Sequence, residues 1–271
     1  MFGWSGLWDS LPAAHAAAIA FDLLTLLGLF LLGRRIRGPD FGVVLAYLWA
    51  AYPFTLWTLS SNTNDTLVAL LVVLALLVIS SAPARGALAA LAGLTKFAPL
   101  ALGPLLLRGR RPAWPAKRSL AGYVLAYGAI VLAAMLPVLL DNNLSAFWHD
   151  SIAYQANRVS PFSVWGLWGG LSLEQHLVEG AAVALAVAVA FVPRQRDVIQ
   201  VAALGAAVLI ALQLAANYWL YSYIVWFFPL VIVALFGSFP PRQDEQEEAN
   251  PHWARAPAPA RSPSLASART P

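Results

Sequence analysis

Apolar residues in this chain run on without the polar interruptions that mark one face of a soluble helix. The stretches 66–79 and 180–192 hold no charged residue, and several others approach the roughly 20 residues a helix needs to cross the hydrocarbon core. Read by run length and boundary, the pattern predicts spans at 12–33, 41–60, 66–80, 120–140, 176–193, 198–216 and 220–237. The run 86–107 differs, because Lys96 and Pro99 interrupt its middle. The expected architecture is all-α: a polytopic transmembrane bundle of about seven crossings with one irregular segment.

The polar boundaries orient these spans. Arg34, Arg35 and Arg37, then Arg85, then Arg108, Arg110, Arg111, Lys117 and Arg118, then Arg194 and Arg196 fall between apolar runs. Short cytoplasmic loops carry the excess of Lys and Arg, so these clusters are expected to share one side. A single crossing by 86–107 would put the following cluster on the wrong side. A helical hairpin that enters and leaves on the same side restores the rule, and its bend at 95–99 must then be buried in protein or line a wet cavity. The N-terminus is accordingly expected outside and the C-terminus in the cytoplasm. Residues 1–238 are expected to form the membrane domain. Residues 239–271, with acidic Asp244, Glu245, Glu247 and Glu248 followed by Pro, Ala, Ser and Arg, lack the apolar surface to fold and are expected to be a disordered cytoplasmic tail.

Composition narrows the class. Of 271 residues, 60% are hydrophobic and 11% charged, against about a quarter charged in soluble domains. Eleven Trp, eight Tyr and thirteen Phe suit interfacial anchoring among membrane lipids. The net charge of +4 is explained by topology, so no nucleic-acid partner is expected. The absence of cysteine excludes disulfides, thiolate catalysis and cysteine-bound metals. No signal peptide is seen, nor any Walker, Rossmann, zincin or serine-elbow motif. No cofactor and no metal site are expected.

Candidate chemistry then concentrates opposite the arginines. Lys96, at membrane depth, needs a counter-charge, a wet cavity or an anionic ligand; it either binds a phosphate or pairs with Asp22 or snorkels. Asp22 lies mid-span, as a proton relay, an ion ligand or the partner of Lys96. In the turn Asn62-Thr63-Asn64-Asp65, Asn64 or Asp65 caps the next helix, or the group holds sugar hydroxyls. The external segment 141–172 gathers His149, Asp150, Tyr154, Gln155, Asn157, Arg158, Ser160, Trp165 and Trp168. His149 and Asp150 offer acid/base groups, Arg158 can clamp a phosphate bidentately, and the Trp rings either stack on a sugar or lipid or sit in the interfacial belt. Asn217, Trp219, Tyr221, Tyr223 and Trp226 read as belt.

The order of Phe21-Asp22-Leu23-Leu24, Gly33-Arg34-Arg35, Asn64-Asp65, Leu94-Thr95-Lys96-Phe97-Ala98-Pro99 and Ser160-Pro161-Phe162-Ser163-Val164-Trp165-Gly166 resembles the C-type integral-membrane glycosyltransferases. The resemblance is to the bacterial polyprenyl-phosphate-mannose-dependent mannosyltransferases of glycosyltransferase family 87 (DUF2029). It implies hexosyl transfer at the external face of a bacterial plasma membrane, from a polyprenyl-phosphate-linked sugar donor to a glycan or lipid acceptor. Lys96 and Arg158 would hold the donor phosphate. Asn64, Asp65, Tyr154, Ser160 and Trp165 would shape the sugar and acceptor pocket, and Asp65, Asp150 and His149 are the candidates for the base. The family also carries an acidic residue in an external loop after a first helix, where this sequence offers only Asp9 ahead of its first span. The expectation is a member lacking those N-terminal helices, which leaves open whether it is active as it stands. The competing reading is a transporter or flippase coupling through Asp22 and Lys96.

Overall fold

The computed structural model describes residues 11–61, 63–110, 115–154, 158, 160 and 162–239. The expected tail, Asp9, Asn62, Arg111, Gln155, Asn157 and Pro161 lie outside them. No strand occurs among the described residues, and helices dominate, as the unbroken apolar runs require.

Helix α1 (Leu11–Arg37) ends on Arg34, Arg35 and Arg37, cations that favour the negative end of its dipole. Gly38, at φ +96°, turns the chain, and Pro39 opens α2 (Pro39–Ala50). The two helices meet at backbone distance: a Cβ on Gly33 would stand 2.7 Å from the Gly42 Cα. The expected span 41–60 is bent by 54°. Pro53 supplies no N–H and holds Tyr52 extended, so α3 (Pro53–Ser60) sets off in a new direction.

Helix α4 (Asp65–Leu77) has 13 residues, most of them buried. At 1.5 Å per residue it is about 20 Å long. Apolar on every side, it forms the centre of the core.

Residues 82–108 form the expected hairpin. Helix α5 (Ala82–Thr95) stops at Lys96, a 3-10 turn (Ala98–Leu102) reverses the chain, and α6 (Gly103–Arg108) returns alongside. Arg85, 5% exposed, locks the base. Its guanidinium donates to the carbonyls of Leu106 (2.6 Å), Leu107 (3.4 Å) and Ile79. Gly109, at φ +63°, lies against that guanidinium. Helix α7 (Lys117–Leu140) packs on α5 through Gly86, where a Cβ would stand 2.2 Å from the Tyr123 carbonyl oxygen. Tyr123 is its one buried residue, and the rest is an apolar surface suited to lipid.

Beyond α7 come a short α8 (Leu144–Phe147), a π-helical turn (Trp148–Ala153) and α9 (Val164–Leu167), then α10 (Ser172–Ala188), α11 (Val198–Ala215) and α12 (Ile224–Gly237). Asp197 and Gln200 start α11 with a reciprocal capping box.

Three helices are long and apolar enough to cross a membrane, α1, α7 and α11, or four with the bent α2–α3 pair as one span. Helix length alone therefore supports fewer crossings than the run lengths predict, because α4, 98–108 and 221–237 are short.

The arginines gather at one end of the bundle and bond helix C-terminal carbonyls. Arg35 donates to Leu77, Arg37 to Phe236 (3.1 Å), Arg108 to Ala190 (3.3 Å) and Arg196 to Val189 (2.6 Å). Each satisfies acceptors that a helix end leaves without partners. Burial, and then the charge of Arg108, push the Arg196 guanidinium below its usual pKa.

Candidate active site

At the opposite end, the hairpin tip meets the start of α4 and the start of α12. Pro99 cannot continue α5, so the chain leaves the helix at Lys96 in extended conformation (φ −149°, ψ 148°). The Lys96 ammonium lies 3.6 Å from Asp65 Oδ1. The same oxygen accepts the Trp226 indole N–H at 2.7 Å. Tyr223 and Trp226 stack at 4.1 Å between ring centroids, and the ammonium sits 5.8 and 5.9 Å from their centres. Asp65 is 2% exposed at its side chain while Lys96 keeps 28%. The cation is thus anchored from below and open on one side.

That open side faces a cavity of about 470 Å³. Arg158, from the segment after α8, faces it too. It donates to the Tyr218 hydroxyl at 2.6 Å, and its guanidinium lies 3.8 Å from the centre of that ring and 5.2 Å from Tyr154. The remaining polar lining comes from Thr95, from Glu179 of α10, from Gln213 of α11, and from Asn217, Tyr218, Tyr223 and Trp226 between the end of α11 and the first turn of α12. Gln213, nearly buried, donates to the Tyr223 carbonyl (2.8 Å) and accepts the Trp219 indole (3.1 Å), which fixes the end of α11 to the start of α12. The Asn217 Oδ1 is buried without a hydrogen-bond partner.

The segment from Ser160 to Gly166 is a brace behind the cavity. Ser160 donates to the Trp219 carbonyl (2.8 Å), Ser163 to that of Asn217 (2.5 Å), and Trp165 to that of Leu214 (2.9 Å). Gly166 is required for closeness: a Cβ there would stand 2.1 Å from the Ser160 carbonyl oxygen.

The residues singled out in the sequence therefore separate. Lys96 and Arg158, 62 positions apart by number, line one cavity. Asp65, Asn64, Tyr154, Ser160 and Trp165 are not among its lining residues. Asp65 acts on the cavity through Lys96 and Trp226, Ser160 and Trp165 brace it, and Tyr154 is exposed beside Arg158. Asn64 is exposed at the N-cap position of α4 with no capping bond from its side chain. His149 and Asp150 are exposed on the π-helical turn.

Asp22 is buried and accepts the Trp49 indole at 2.9 Å. The carboxylate at Lys96 is Asp65, so the expected Asp22–Lys96 pair gives way to two separate acid–indole pairs. Asn217, Tyr223 and Trp226, expected in the interfacial belt, line the cavity. Glu179 and Gln213 join the site without having been singled out by the sequence pattern. Glu179 lies inside the predicted span 176–193, so it is an acid in an apolar run on the same grounds as Asp22.

The family model for glycosyltransferase family 87 matches residues 8–235. The chain belongs to that family. Family 87 membership makes it a membrane glycosyltransferase with a sugar donor and an acceptor as substrates, in keeping with the resemblance carried by the Lys96 and Ser160 segments. No curated protein and no solved structure matches the chain. The transporter reading finds no support: the two side chains it would couple through, Asp22 and Lys96, are held by different partners.

Proposed function

We propose that this family 87 chain transfers a hexose, mannose by preference, from a polyprenyl-phosphate donor to a glycan or lipid acceptor in the 470 Å³ cavity. Lys96 and Arg158 hold the donor phosphate there. The observation that carries the reading is the convergence of these two cations on one cavity walled by Tyr and Trp rings. Negative charge grows on the phosphate as the sugar–oxygen bond breaks, and cations already fixed in place stabilise that charge without reorganising. Lys96 acts as a compact point charge and Arg158 as a planar fork. Asp65 positions Lys96, and the unpartnered Asn217 Oδ1 suits a sugar hydroxyl as donor. The cavity end would face outward and the arginine end the cytoplasm of a bacterial cell, by the asymmetry of positive loops. The tail would then be cytoplasmic.

Full-length protein in lipid, given radiolabelled polyprenyl-phosphate-mannose and a membrane-glycan extract, should form labelled product. Lys96→Ala and Arg158→Ala should each lower turnover by about a hundredfold. Unchanged transfer in both variants, or no transfer by the wild-type chain from any polyprenyl-phosphate hexose, would sink the proposal.

A further inference from the structure

Sugar transfer to a hydroxyl needs a group to take the hydroxyl proton. The residues that the sequence pattern offers for this task are poorly placed for it. Asp65 is 1% exposed, and its Oδ1 is engaged by both the Trp226 indole and the Lys96 ammonium. Asp150 and His149 are exposed on the π-helical turn and are not among the residues lining the cavity. Among the described residues that do line it, Glu179 is the one carboxylate.

Its local structure supports a reactive role. Glu179 belongs to the third turn of α10, on a helix rather than a loop, so its backbone is held by i→i+4 bonds. Gln175, one turn earlier, donates from Nε2 both to Glu179 Oε1 (3.3 Å) and to the Ala215 carbonyl (3.4 Å). The amide thus ties the carboxylate to the end of α11. One carboxylate oxygen is oriented in this way, and the side chain faces the same space as Lys96 and Arg158. A carboxylate across a cavity from two phosphate-binding cations has the polarity the reaction demands, accepting a proton at one end while charge builds at the other.

We infer that Glu179 is the catalytic base that receives the acceptor's proton, an inference that rests on the transfer reading above. The acceptor hydroxyl gives its proton to the Glu179 carboxylate. Its oxygen pair forms the new bond to the sugar's anomeric carbon, and the bond from that carbon to the phosphate oxygen breaks. The electron pair leaves on the polyprenyl phosphate, whose added charge meets Lys96 and Arg158. The products are the neutral Glu179 acid, the glycosylated acceptor and polyprenyl phosphate.

The test uses full-length protein in lipid vesicles and separates binding from transfer. Glu179→Gln keeps the shape and an oxygen that the Gln175 amide can bond. It should bind radiolabelled polyprenyl-phosphate-mannose at least as tightly as wild type while transferring about a hundredfold more slowly or worse. Glu179→Ala should be equally slow, and added formate should restore part of its rate, a recovery that a purely structural role would not produce. Transfer by Glu179→Gln at the wild-type rate, or slow transfer by Glu179→Ala without formate rescue, overturns the assignment and leaves the donor site standing. Loss of donor binding in wild-type protein would instead overturn the transfer reading, and this inference with it.

Discussion

The ammonium of Lys96 and the carboxylate of Asp65 meet at 3.6 Å, where the tip of a helical hairpin touches the first turn of the central helix. Asp65 also holds Trp226, so one buried oxygen ties together three elements that approach from different parts of the chain. The cation is thereby fixed at the wall of the cavity, leaving its exposed side for an anion.

The tie can be tested at Asp65. Asp65→Ala leaves the Trp226 indole and the Lys96 ammonium without their acceptor and should destabilise the protein by about 1–3 kcal/mol, read as a lower melting temperature in detergent. Asp65→Asn retains an acceptor for the indole but not the charge. It should recover most of that stability, yet transfer about tenfold more slowly than wild type because Lys96 is no longer fixed. Full activity in Asp65→Asn would show that the tie does not matter to the chemistry.

Arg158 is bound by shape as well as charge, through the Tyr218 ring face and hydroxyl. Arg158→Lys keeps the charge but loses the planar fork and its stacking, and donor affinity should drop about tenfold. Tyr218→Phe keeps the ring and should cost less than Arg158→Lys. Donor-binding titrations on the two variants would give the order, and the reverse order would contradict it.

Two glycines on one helix should respond differently. A methyl at Gly86 would strike the backbone oxygen of Tyr123 at 2.2 Å, so Gly86→Ala must force α5 and α7 apart. A loss of about 1–3 kcal/mol is expected. A methyl at Gly93 would meet the Leu100 side-chain tip at 2.2 Å, which can swing aside. Gly93→Ala should therefore be milder, by the same thermal measurement on purified protein.

Arg85 closes the base of the hairpin with bonds to carbonyls in two directions. A lysine has the charge but no fork, so Arg85→Lys should lose at least one charge-assisted bond, about 1.5–3 kcal/mol. Hydrogen exchange should then speed up across 82–108 more than across α11. Uniform exchange in the variant would count against a local clasp.

The boundaries of α1, α7 and α11 are legible in the sequence because long apolar runs end at charged residues or a proline. The hairpin is legible from charge alone: five cations after 107 would otherwise sit on the wrong side. Pairing is not. Run length says nothing of which helices touch, and the indole that shares Asp65 with Lys96 lies 161 residues away from it. Hence the pattern points Lys96 toward Asp22, and Trp226 toward the belt. The 54° break at Pro53 is hidden because residues on both sides of it are apolar. Glu179 is visible as a carboxylate in a span, but its neighbours give no hint that the bundle brings it to the same cavity as Lys96 and Arg158.

The Arg85 clasp also sets the phase of the hairpin tip. With both limbs gripped at residues 85 and 106–107, Lys96 is indexed by the number of residues between grip and tip, as a hand is by the length of its arm. Added residues beyond Gly109 lengthen a loop outside the grip and leave that index alone. Deleting one residue between Gly86 and Thr95 would turn the tip by about 100°, carrying Lys96 off the Asp65 anchor while every other helix stayed in register.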